Sequence, residues 1–122
     1  MTDYLTLAEV LAIHDDQIER YGGLNGTRDQ GQLEAALFRM QSGYYPDSIG
    51  EAAALWESLS QNHPFIDGNK RTAFACAYTF LAINDIEITA NAEDIYTFLM
   101  DLYESNLFQF DALDRWLRMN TK

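Results

Sequence analysis

Apolar residues recur three and four positions apart along most of the chain, the spacing of one face of an α-helix. Leu7, Val10, Leu11, His14 and Ile18 form the first such stripe. Thr6 and Glu9 have capping-box spacing at its start, and Gly22-Gly23 ends it. The second stripe is Leu33, Ala36, Leu37 and Met40, behind Asp29 as N-cap. The third is Ala52, Leu55, Trp56 and Leu59, with Ser48 and Glu51 as a second capping box. Phe74, Ala77, Tyr78 and Leu81 follow Asn69; Ile95, Phe98, Leu99 and Leu102 follow Asn91; Leu113, Trp116 and Leu117 follow Asp111. Asn69, Asn91 and Asp111 suit the N-cap because a side-chain oxygen can accept from a first-turn amide that has no helical partner. The aromatic residues of the C-terminal half are expected in the core.

Strand-like alternation is confined to Ile86-Glu87-Ile88-Thr89. Pro46 disfavours helix at Tyr45, so the stretch Tyr44–Asp47 reads either as an extended flap that aligns a target segment by strand pairing or as an ordinary helix connection. No repeat, linker or low-complexity stretch interrupts the pattern. The expectation is an all-α fold of about six helices, one domain over residues 1–122, with room for a short flap or hairpin.

A chain of 122 residues can bury roughly two-thirds of its unfolded surface, so a core forms without staples. The single cysteine, Cys76, makes no internal disulfide and points to a reducing compartment. The longest nearly apolar run, Ala73 to Ile83, is far short of the roughly 20 residues a membrane span needs. The start, Met1-Thr2-Asp3-Tyr4, has no basic or apolar leader, and a cytoplasmic location is expected. Nineteen Asp and Glu against eight Lys and Arg give a net charge of −11, which argues against direct binding to nucleic acid or anionic membrane.

Against that acidic background one segment stands apart: His63-Pro64-Phe65-Ile66-Asp67-Gly68-Asn69-Lys70-Arg71. Pro64 and Gly68 break the helical pattern, so the segment is a loop that runs into a helix N-terminus. Such an end carries unpaired N–H groups and a positive dipole, and it binds anions. Lys70 and Arg71 lie in its first turn, where cations are disfavoured unless something negative compensates them. Asp67 supplies one charge, a polyphosphate would supply the rest, and Gly68 lets it approach the backbone. His63 is suited to taking a proton from a hydroxyl, and Asp67 to holding Mg²⁺ against phosphate oxygens. These are the parts of a phosphoryl or nucleotidyl transferase, without a Walker A sequence. Each component alone has a plain structural reading: a packing histidine, an Asp-Gly-Asn turn, a solvated Lys-Arg face. Their concentration in nine residues points to chemistry.

The segment resembles the signature of the Fic/Doc superfamily, His-x-Phe-x-Asp/Glu-Gly-Asn-Gly-Arg-x-x-Arg. Lys70 stands in place of the second motif glycine and Phe74 in place of the final arginine, and both departures resemble the Doc (death-on-curing) branch. Upstream, His14-Asp15, Arg20-Tyr21-Gly22-Gly23-Leu24, Gly26, Arg28-Asp29 and Leu33-Glu34-Ala35-Ala36-Leu37 are also Doc-like, so the resemblance runs from about Leu5 to Leu117.

The resemblance implies a mainly helical Fic fold and a transferase that uses ATP and Mg²⁺. Fic proteins typically move AMP onto a protein hydroxyl. The Doc branch is taken to bind the nucleotide reversed and to transfer the γ-phosphate to a threonine of elongation factor Tu, which stops translation. The expected activity is therefore that of a toxin kinase. The alternatives are an AMP transferase and a catalytically degenerate Fic domain acting as a binding module. The implied roles are His63 as base, Asp67 as Mg²⁺ ligand, Gly68 and Asn69 as frame of the anion hole, and Lys70 and Arg71 as neutralising charges. Many Fic proteins carry an inhibitory Ser/Thr-x-x-x-Glu-Gly/Asn helix; the nearest match, Thr89 to Glu93, is followed by Asp94. A separate Phd-like antitoxin is therefore implied, a small protein whose C-terminal helix docks in a largely apolar groove. His14, on the apolar stripe, is expected to be a half-buried, hydrogen-bonded side chain, and Arg28 has no role that charge or spacing assigns.

Overall fold

Six helices form in the order the apolar spacing predicts: α1 (Leu7–Tyr21), α2 (Gln30–Met40), α3 (Ser48–Gln61), α4 (Asn69–Ile83), α5 (Ala92–Glu104) and α6 (Phe110–Met119). The computed structural model describes residues 1–122. The capping box of Thr6 and Glu9 is in place, and Asp29 and Asn91 cap α2 and α5. Three starts differ from expectation. Asp47, not Ser48, caps α3, its carboxylate accepting from Gly50 N at 3.0 Å while it also pairs with Arg118 at 2.8 Å. Glu51 is buried and accepts instead from the Tyr4 hydroxyl. Helix α6 begins one residue before Asp111, and Glu57 of α3 does the capping from across the fold, accepting from Phe110 N at 2.6 Å. The third case, α4, belongs to the site.

Helix α3 is central. It buries residues on all sides, including Gly50, Ala52, Ala53, Ala54, Ser58 and Ser60, because α2, α4 and α6 pack around it and small side chains allow close approach. A single apolar stripe understates such a helix. Its Trp56 is wrapped edge-on by Phe74, Phe108 and Trp116 at 5.3–6.1 Å.

Helix α4 is rotated from the expected face. Ala73, Cys76, Ala77, Phe80 and Leu81 are buried, Phe74 is half-buried, and Tyr78 is exposed. In α5 only Leu102 is buried, so the C-terminal aromatics are only partly core. Tyr78 and Tyr96 instead line a groove between α4 and α5.

Ile86–Thr89 forms no strand. One antiparallel bridge joins Ile88 to Thr121, and Glu87 and Lys122 exchange backbone bonds of 2.9 Å, which pins the C-terminus. Tyr44–Asp47 forms no flap strand: Tyr45 packs on Phe110 and accepts from Arg39 Nε at 2.8 Å, and Asp47 caps α3. It is a helix connection. No helix is long and apolar enough to cross a membrane.

Candidate active site

The loop from α3 to α4 is held from several sides. His63, just past the end of α3, has a left-handed backbone, φ +48°. Arg28 holds it there, donating from Nε to His63 O at 2.7 Å and from Nη2 to Asn62 O at 3.0 Å. Pro64 O accepts from Arg28 N and Asp29 N at 2.8 and 2.9 Å, and Ile66 N donates to Gly26 O at 3.1 Å. A second antiparallel bridge thus lies along the motif loop, where Thr27 pairs with Phe65. Phe65 is buried, its ring parallel to His14 at 3.7 Å.

Asn69 is not the N-cap. It is the first helical residue, and its side chain turns back to accept from Phe65 N at 2.9 Å and donate to Phe65 O at 3.0 Å. The cap position falls to Gly68, left-handed at φ +76°, which offers no side chain to the helix end. The first backbone bond is Thr72 N to Gly68 O at 3.0 Å, so the amides of Asn69, Lys70 and Arg71 have no partner in the protein. They face a cleft of about 370 Å³ lined by His63, Ile66, Asp67, Gly68, Asn69, Lys70 and Arg71. Every residue expected to act therefore lines one cleft, but Asn69 frames it with its backbone, not its side chain.

Asp67 is also held by amides. Its Oδ2 accepts from Leu24 N at 3.1 Å and its Oδ1 from Gly68 N at 2.8 Å. These bonds, led by that from Leu24 and aided by nearby Arg71 and His14, keep its carboxyl below the ordinary range, so it is ionised at neutral pH. Gly23, at φ +124°, admits this approach: a Cβ there would lie 2.7 Å from Asp67 Oδ2. No cluster of three acidic, histidine or cysteine ligands exists. One carboxylate beside an anion site fits Mg²⁺ held jointly with substrate phosphates, and not a metal caged by protein alone.

Lys70 and Arg71 have no carboxylate within 4.0 Å. Arg71 Nη2 donates to Gly22 O at 2.9 Å. Lys70 does not fill the space beside the helix end: its Nζ lies 4.1 Å from the centre of the Tyr103 ring. Tyr103 is fixed in turn by Ser60, at 2.8 Å from its hydroxyl, and by stacking on Phe108 at 4.6 Å. His63 is exposed and its ring makes no hydrogen bond to the chain, so both nitrogens are open to substrate. Next to the cleft runs the apolar groove, about 740 Å³, lined by Tyr21, Lys70, Phe74, Tyr78, Leu99 and Met100 among others.

In the sequence Gly23, Leu24 and Arg28 stand only as Doc-like positions without a role, and Tyr103 is not marked at all. For Arg28 a signal existed: it is one of only eight cations, and it stands between the two turn-like stretches Gly26 and Asp29 that the loop uses. Leu24 acts through its backbone and Tyr103 through a helix remote in sequence, which residue type does not disclose.

A helix end with open amides, a carboxylate, two cations without a carboxylate partner and a histidine free of hydrogen bonds thus meet at one cleft of an all-α frame. The chain belongs to the Fic/Doc family, whose model matches residues 4–81. Among its relatives, Toxin Doc of Mycolicibacterium smegmatis is 42% identical over 105 residues, which is 78% of either chain. Protein kinase doc of Escherichia phage P1 is 34% identical over 94 residues, 74% of this chain and 75% of the relative.

Proposed function

We propose that this protein is the toxin of a toxin–antitoxin pair and transfers the γ-phosphoryl group of ATP to a hydroxyl of a target protein, a threonine of elongation factor Tu, so that translation stops. One observation carries the reading: three partnerless amides, Asn69 to Arg71, open into the cleft that His63 rims. Amides aimed at an anion stabilise the charge of a transferring phosphoryl group without reorganisation.

His63 takes the proton of the target hydroxyl as its oxygen bonds to the γ-phosphorus. The bond from that phosphorus to the bridging oxygen breaks, and ADP leaves. Arg71 and Lys70 offset the phosphate charge, and Gly68 leaves room for it. Asp67 would hold Mg²⁺, which supplies charge neutralisation between phosphate groups. Transfer of phosphate over AMP is supported by Lys70 and Phe74, which stand where the AMP-transferring pattern has glycine and arginine, and by the name of the phage P1 relative.

The antitoxin, a Phd-like protein, would lay an amphipathic helix in the groove between α4 and α5. The groove is predominantly apolar, as suits a contact made by a protein of net charge −11. The pair would act in the cytoplasm, where ATP and the translation machinery are.

Incubation of the protein and Mg²⁺ with a bacterial lysate and ATP labelled at either the γ or the α position tests the reading. Label should enter one protein of elongation factor Tu's mass from γ-labelled ATP only. Label from α-labelled ATP alone would assign AMP transfer, and no label from either would leave a binding module.

A further inference from the structure

His14 lies in α1, far in sequence from the motif, yet it is 2% exposed and its ring lies flat against Phe65 at 3.7 Å and 3°. Its Nε2 is 2.8 Å from the carbonyl oxygen of Asp67. A carbonyl only accepts, so Nε2 carries the proton. A core histidine that only filled space would have no reason to meet this carbonyl among all those of the loop.

The Asp67–Gly68 peptide is the plane on which the cleft turns. Its C=O points down to His14, and its N–H points back to Asp67 Oδ1 at 2.8 Å. The next residue is Gly68, left-handed and free of a Cβ, and a glycine does not hold its own peptide planes in one orientation. The amides of Asn69, Lys70 and Arg71 follow directly, and their aim depends on that plane. Gly68 also sits against α1: a Cβ on it would lie 3.1 Å from Ile18 Cδ1 and 3.7 Å from His14 Nε2.

We propose that His14 is a positioning residue for the anion cleft: by donating from Nε2 to Asp67 O it locks the Asp67–Gly68 peptide so that the helix-end amides face the phosphates. The proposal deepens the transfer reading and rests on it for its catalytic consequence, but not for anion binding.

Two substitutions separate positioning from packing. His14→Phe keeps the stack on Phe65 and removes the donor. His14→Gln loses the ring and keeps an amide N–H that reaches the same carbonyl. The readouts are binding of inorganic pyrophosphate, followed by NMR at the amides of Asn69, Lys70 and Arg71, and kcat and KM for ATP. His14→Phe should weaken pyrophosphate binding about 10-fold and raise KM more than it lowers kcat, the scale of one lost hydrogen bond to a partly buried acceptor, while His14→Gln stays within about 3-fold of wild type. Wild-type binding and kinetics in His14→Phe, with loss in His14→Gln, would overturn the proposal. In the unaltered protein, ¹⁵N shifts of the imidazole should show the proton on Nε2 in slow exchange. An Nε2 that carries no proton, with the ring protonated on Nδ1 alone, would overturn the proposal even if neither variant folds. Should the wild type bind pyrophosphate at these amides yet transfer nothing from ATP, the reaction fails and the positioning role stands. Absence of pyrophosphate binding at these amides in the wild type overturns the positioning role too.

Discussion

Asn69→Asp separates two accounts of the motif asparagine. As an N-cap, Asn and Asp are interchangeable, and the negative charge at a helix start adds about 0.5 kcal/mol of stability. In the structure Asn69 is a staple across the loop, accepting from Phe65 N and donating to Phe65 O. Aspartate keeps the acceptor but loses the donor, at a cost of about 1 kcal/mol, and sets a carboxylate oxygen against the carbonyl of a buried residue, at about 1 kcal/mol more. Less the dipole gain, the net cost is about 1–2 kcal/mol. A chain of 122 residues has an unfolding entropy of roughly 0.26 kcal/mol/K, so Tm should fall by about 4–8 °C in a calorimeter near neutral pH. A Tm equal to or above that of wild type would refute the staple and restore the cap.

His63→Gly should abolish transfer yet leave Tm unchanged or higher, because the His63 ring makes no protein contact by hydrogen bond and its backbone sits at φ +48°, where glycine is at ease; retained transfer would remove His63 from the reaction. Arg28→Ala should cut kcat by about 10-fold or more by freeing the carbonyls of Asn62 and His63, with Arg28→Lys restoring little because one ammonium does not reproduce the two-pronged contact; equal kcat in all three proteins would show that the clamp is idle. Asp47 lies below the ordinary carboxylate range because Arg118 donates to it, so the unfolded chain takes up its proton first as pH falls. The stability it contributes is complete above roughly pH 5, begins to fall as the unfolded chain takes up the proton, and is lost as pH drops through its lowered folded value. The stability difference between wild type and Asp47→Asn, followed by circular dichroism, should therefore be constant above roughly pH 5 and shrink as pH falls from there, vanishing only below the lowered folded value; a difference that does not change with pH would contradict the ion pair.

Much of the fold is legible because apolar spacing and caps such as Thr6, Asp29 and Asn91 are local properties. The errors fall where tertiary contact overrides them. The α6 start is capped by Glu57, which is distant in sequence, and α3 is buried all round, which a one-face stripe does not express. Tyr78 and Phe74 satisfy helical periodicity as well as Ala73 and Cys76 do, so the pattern alone leaves the facing of α4 open. In the site, the residue types of the motif are legible from His63 to Arg71. Their supports are not, because Leu24 contributes an amide, Gly23 an absence of side chain, and His14 a bond to a carbonyl. The destination of Lys70 depends on where α5 places Tyr103.

The leaving group reports the reaction most directly. Purified elongation factor Tu, ATP, Mg²⁺ and catalytic amounts of the protein can be followed by ³¹P NMR, with His63→Gly as the control. ADP should form only when the target is present, mole for mole with its phosphorylation, and none should form with His63→Gly. Pyrophosphate released in step with adenylated target would contradict it.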